Sequence, residues 1–94
     1  MGFKQAKSEV IDCLKNGYVL HEERNNIDVK NLLATGAVTV DEVIAVILRA
    51  HGGDYCCSPH DFNHEIKVHI LKTKGWYIKW YFLSPDAVFI SVHN

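Results

Sequence analysis

Residues 66–94 read IKVHILKTKGWYIKWYFLSPDAVFISVHN, and the fold turns on this stretch. Residues 66–70 alternate apolar and polar side chains strictly, residues 76–82 alternate in apolar bulk, and residues 88–92 form a short run rich in β-branched types. Lys72-Thr73-Lys74-Gly75 parts the first two runs at hairpin distance, and Ser84-Pro85-Asp86 parts the second pair. Three strands in an antiparallel meander are the expectation.

Working outward, the period changes upstream of Tyr55. Ala6, Val10, Cys13 and Leu14 recur at helical spacing over residues 4–15, and Asn16-Gly17 supplies a stop. Residues 18–29 are polar and without a clear period. A short helix is expected over 29–34, ended by Gly36. Thr39 followed by Glu42 reads as a capping box for a helix over 41–50, apolar on nearly every side and therefore destined for the core. Helices first and a meander after them give an α+β class: N-terminal helices packed on one face of a small antiparallel β-sheet. With 94 residues and no repeat or linker, the whole chain, 1–94, is expected to be one domain.

Composition narrows the function. At 48% apolar and 22% charged the chain is of ordinary folding type, so disordered and low-complexity classes are excluded. The longest strongly apolar run, residues 43–48, is far short of the roughly 20 residues of a membrane span, and the first residues lack the apolar stretch of a secretory signal. A soluble, cytoplasmic protein with no membrane partner is expected. Its three cysteines, two of them adjacent, suit reduced thiols. The net charge of −1 excludes a general nucleic-acid coat. Yet residues 55–94 carry Lys67, Lys72, Lys74 and Lys79 against Asp61, Glu65 and Asp86, with four of the six histidines, which suggests a basic face on a neutral body.

Strand alternation assigns that face. One register collects Ile66, Val68, Ile70, Ile78, Trp80, Phe82, Val88, Ile90 and Val92, all apolar, and is expected under the helices. The other collects Lys67, His69, Tyr77, Lys79, Tyr81, Phe89, Ser91 and His93. A solvated sheet face would also be polar, but it would usually mix carboxylates with its lysines, and none occurs between Ile66 and Leu83. Lysines that hold a phosphate, rings that stack on bases and histidines that move protons are the parts of metal-free RNA cleavage. His69 and His93 are the expected proton-transfer groups, either one as acid or base. Lys67 and Lys79 are the expected phosphate-binding cations.

The order of a helix, Asn16-Gly17-Tyr18-Val19, a polar stretch, Gly36 to Asp41 leading into an apolar helix, Asp54-Tyr55 and a terminal meander resembles the MqsR-type toxins. The matching end reads Trp76-Tyr77-Ile78-Lys79 and Asp86-Ala87-Val88-Phe89-Ile90-Ser91-Val92-His93. The resemblance implies a RelE-like fold and a metal-independent mRNA endoribonuclease, the toxin of a bacterial type II toxin–antitoxin pair. Such a toxin inhibits translation by cutting mRNA, free or on the ribosome, and is held by a cognate antitoxin. It also implies that Tyr77 stands at a catalytic tyrosine, His93 near a terminal basic residue and Lys67 or His69 near a polar first-strand residue. Tyr81 and Ser91 would join Lys67 and Lys79 in contacting RNA. Where the family has a lysine before the first strand, this chain has Cys57 or a neighbour. No cofactor is expected.

Two other classes stay open. Cys57, His60 and His64 cluster in sequence and could ligate zinc in a regulator, although no Cys-x-x-Cys pair is present. Cys57 beside His60 could be a nucleophile, although only proximity marks it. An antitoxin-like or immunity-like interaction module would instead use the aromatic face to bind protein.

Overall fold

The computed structural model describes residues 1–23 and 25–94. Helix α1 (Phe3–Asn16) buries Ala6, Val10, Ile11, Cys13 and Leu14 on one stripe. It ends where Gly17 takes the left-handed backbone, φ 76°, that a side chain would resist. Strand β1 (Val19–His21) follows, then the single turn α2 (Ile27–Lys30), shorter and earlier than the helix expected over 29–34. Helix α3 (Val40–Arg49) starts at the expected capping box: the Thr39 hydroxyl accepts from the Glu42 N–H at 3.1 Å, and the Glu42 carboxylate accepts from the Thr39 N–H at 3.2 Å. A 3₁₀ turn at Gly52–Asp54 leads into β2 (Tyr55–Pro59), β3 (Lys67–Thr73), β4 (Trp76–Leu83) and β5 (Asp86–His93).

The α+β class holds, but the sheet is mixed rather than purely antiparallel. Its order is β1-β5-β4-β3-β2, with β1 parallel to β5 and every other pair antiparallel. A three-residue strand carries no sequence pattern; β1 exists because β5 offers it an edge. One core forms between α1, α3 and a single face of the sheet, and it includes Leu71, Ile78, Trp80, Ala87, Phe89 and Val92.

That face differs from the expected one in two strands. In β3, Leu71 pairs with Ile78 and His69 with Trp80, so His69, Leu71 and Thr73 point toward the helices. Val68 and Ile70 point away, and Val68 is buried outside the main core. In β5 the register slips: Lys79 faces Ser91 but Trp80 faces Phe89, leaving Ile90 as the extra residue of a bulge. Beyond the bulge Val92 is inward, with Ser91 and His93 outward, as expected. Before it the faces exchange, so Phe89 is core and Val88 is not.

Asn31 ties the irregular segment after α2 to β5. It is wholly buried; its Nδ2 donates to His21 Nδ1 at 3.1 Å and lies 3.4 Å from the Phe89 carbonyl, while its Oδ1 accepts from the Ala34 N–H. The next residue, Leu32, donates its N–H to the Val92 carbonyl at 2.7 Å. Replacing Asn31 by alanine removes a wholly buried side chain and leaves His21 Nδ1 and the Ala34 N–H, both half-buried, without its amide, so a loss of about 1–3 kcal/mol is expected. It should show as a lower denaturation midpoint at unchanged slope.

Candidate RNA-binding face

The outer face of the sheet, turned away from the helices, falls into two parts. At the β3–β4 hairpin end, Tyr77 pairs with His93 across β4 and β5, their ring centroids 5.3 Å apart at 32°. Lys72, opposite Tyr77 on β3, brings its Nζ to 5.8 Å from the centre of the Tyr77 ring. One step along, Lys79 sits opposite Ser91. His93 Nδ1 lies 3.4 Å from a main-chain oxygen of Asn94, a long contact that favours the proton on Nδ1 and leaves Nε2 as the nitrogen with a free lone pair. Tyr77, Lys79 and His93 are each half-buried, rooted in the sheet with their polar ends reachable.

The second part is covered. Residues 60–66 fold over Val68, and Lys79, Glu22, Asp61, His60, Phe62 and Ile90 line a shallow cleft with about 280 Å³ of free space, its open mouth included. His60 is nearly buried and its tautomer is set by its neighbours. The Phe62 N–H donates to Nδ1 at 3.1 Å, so Nε2 carries the proton and donates to the Glu22 carboxylate at 2.9 Å. The ring meets Tyr81 edge-on, centroids 5.1 Å apart. Burial, followed by the Glu22 carboxylate that its hydroxyl bonds, pushes the Tyr81 phenol up. Both nitrogens of His60 are thus engaged, which removes it as a partner for Cys57. Glu22, expected as part of a solvated charge run, instead pins the covering loop across 38 residues of chain.

The expected cation and proton-transfer set therefore divides. Tyr77, Lys79, Tyr81, Ser91 and His93 share the outer face as expected, but Ser91 is only 3% exposed and the Tyr81 hydroxyl is bonded to Glu22 beside His60, so neither is open to RNA as expected. Lys67 and His69 do not: they belong to the helix side. Lys67 donates to the Met1 carbonyl at 2.7 Å. His69 is 2% exposed, stacked between Tyr55 and Trp80 with Phe82 edge-on, and its Nδ1 is hydrogen-bonded to the Tyr55 hydroxyl at 2.7 Å. Burial, with help from Lys67 and the amino terminus, pushes this imidazole down to about 4. A group so enclosed cannot reach a ribose on the outer face. Lys72 takes the vacated place beside Tyr77. It was legible as a cation, but the hairpin connection was expected to begin at Lys72, whereas β3 runs on through it to Thr73.

Cys57 and His64 line one groove with Lys67, whereas His60 turns into the other cleft. Among the described residues no group of three or more His, Cys, Asp or Glu side chains stands close enough to hold a metal ion. No described helix is long and apolar enough to cross a membrane. Compared with known proteins, the chain matches no family model, no curated protein and no solved structure.

Proposed function

We propose that this protein is a metal-independent endoribonuclease of the MqsR type, a toxin that stops translation by cutting mRNA, with its centre at Tyr77, His93, Lys72 and Lys79. The observation that carries the reading is the Tyr77–His93 pair with the Lys72 ammonium beside it, on a sheet face whose β3 and β4 bear no carboxylate. The sequence resemblance, which rests on the same strands, supports it.

The chemistry follows from the groups. His93 Nε2 accepts the ribose 2′-hydroxyl proton, and the 2′-oxygen attacks phosphorus. The bond to the 5′-oxygen breaks as the Tyr77 hydroxyl gives that oxygen its proton; solvent then reprotonates the phenolate. Lys72 and Lys79 stabilise the charge that gathers on the phosphorane oxygens. The products are a 2′,3′-cyclic phosphate and a 5′-hydroxyl. A cognate antitoxin with an acidic segment would shield this cationic face.

The test is cleavage of RNA by purified protein in excess EDTA, with the new ends identified. Cyclic phosphate and 5′-hydroxyl ends are expected. No cleavage of free RNA and none on translating ribosomes would reject the nuclease. The interaction module would then be favoured by Phe62, 92% exposed at the rim of the cleft.

A further inference from the structure

On the helix side of the same hairpin, the end of α3 faces the β3–β4 turn across a groove with about 440 Å³ of free space, its open mouth included. Arg49, Lys74 and Trp76 line it with Thr73 and Val46, and no carboxylate does. Arg49 and Lys74 are both exposed, while Trp76 is partly buried against the core and so holds a fixed indole at the groove wall. Several carbonyls at the end of α3, which would repel an anion, are engaged by cations. Lys7 Nζ takes those of Leu48 and Ala50 at 2.9 and 3.2 Å, and Arg49 Nε takes that of Ala45 at 3.1 Å. The neighbouring Asp54 carboxylate accepts from the His51 N–H at 2.9 Å and from the Thr73 side chain, and it lies close enough to Lys74 to offset part of that charge, leaving Arg49, among the groove's described lining residues, as the cation without a carboxylate beside it.

Lys74 itself sits at φ 47°, in a two-residue hairpin turn whose left-handed positions favour asparagine and glycine. A lysine held there costs backbone energy that an asparagine would not, and strain of this kind gathers at functional sites. Trp76 and Tyr77 are consecutive in β4, so the groove and the Tyr77–His93 centre lie on opposite faces of one hairpin end. Lys72, Lys74 and Arg49 form a trail of cations round it from one to the other.

We propose that this groove binds one nucleotide of a single-stranded RNA, the base stacked on Trp76 and a phosphate held between Arg49 and Lys74. The proposal rests on the RNA-cutting reading of the outer face, because it takes the groove as a flanking subsite of the same strand. It makes that strand wrap the hairpin end and sets a minimum substrate length.

The test uses the full chain and a labelled RNA of about ten nucleotides, within the span such surfaces cover, with 2′-O-methyl riboses so that it is not cut. Anisotropy reads binding and tryptophan emission reads the groove. Emission should fall on binding in the wild type and stay constant in Trp76→Phe, since Trp80 is fully buried. The Arg49→Gln, Lys74→Asn double variant should bind about tenfold or more weakly, with a salt dependence shallower by about one. Lys74→Asn alone should be at least as heat-stable as the wild type, which separates lost binding from lost fold. RNA bound with unchanged emission and undiminished by the double variant would overturn the groove and leave the outer-face centre standing. The expected emission and affinity changes without cleavage of unmodified RNA, either free or on translating ribosomes, would support the groove and overturn the nuclease. A wild type that binds no RNA would overturn the groove, and cleavage on translating ribosomes would then decide the nuclease.

Discussion

His93→Ala is expected to lower RNA cleavage by about 10²–10⁴-fold, the range typical of losing a positioned proton-transfer group, with little change in thermal stability. His93 is half-buried at the end of β5, and its ring packs on Tyr77 rather than in the core. Its removal therefore opens no interior cavity. His69→Ala should do the reverse. That imidazole lies among Tyr55, Trp80 and Phe82 on the helix side, so truncation leaves a void and strands the Tyr55 hydroxyl, while the outer face keeps all its groups. Single-turnover cleavage below the unfolding temperature, paired with melting curves, reads both effects. Cleavage that survives in His93→Ala, or vanishes in a still-folded His69→Ala, would move the centre to the other side of the sheet.

The contrast between these two histidines shows where sequence reading succeeds and where it stops. The Thr39–Glu42 box and the apolar run after it were legible because a capping signal and a helical period are local. The inward Ile78, Trp80 and Phe82 of β4, and the outward Tyr77, Lys79 and Tyr81, were legible for the same reason. β3 failed because Val68, Ile70 and Leu71 are all apolar, so either register satisfies a hydrophobic face. The choice between them is made by Leu71 meeting Ile78, a pairing across the hairpin. In β5 the bulge at Ile90 exchanges the faces of Val88 and Phe89 while sparing Ser91 and His93, and no residue type announces it. β1 and β2 lacked a signal altogether, one being three residues long and the other reading Tyr-Cys-Cys-Ser-Pro. The Glu22–His60 pair and the groove between α3 and the hairpin are products of tertiary folding, built from residues far apart in the chain.

The same enclosure that removes His69 from the outer face makes the fold sensitive to acid. Its imidazole stands at about 4 in the folded chain against an ordinary 6.5, so between those values the unfolded chain binds the extra proton and the folded one does not. Stability contributed by the neutral ring is thus fully present above about 6.5 and is lost as the pH falls toward 4, by up to about 3 kcal/mol. Below 4 this residue adds no further slope. The causes act in one direction: burial disfavours the charged ring, and Lys67 and the amino terminus oppose a second positive charge beside them. His21, also pushed down by burial, contributes a decline of the same sign, so the wild type alone cannot isolate His69. The decisive comparison is His69→Leu, which keeps the site filled and removes the titration. Its unfolding free energy, measured in urea from pH 7 to pH 4, should fall less steeply than that of the wild type, the difference growing to about 3 kcal/mol at the acid end. Parallel curves would mean that the folded chain admits a proton to His69 at little cost. A ring that protonates so readily would have to lie open to solvent, and the division of the two histidines between the faces of the sheet would fall with it.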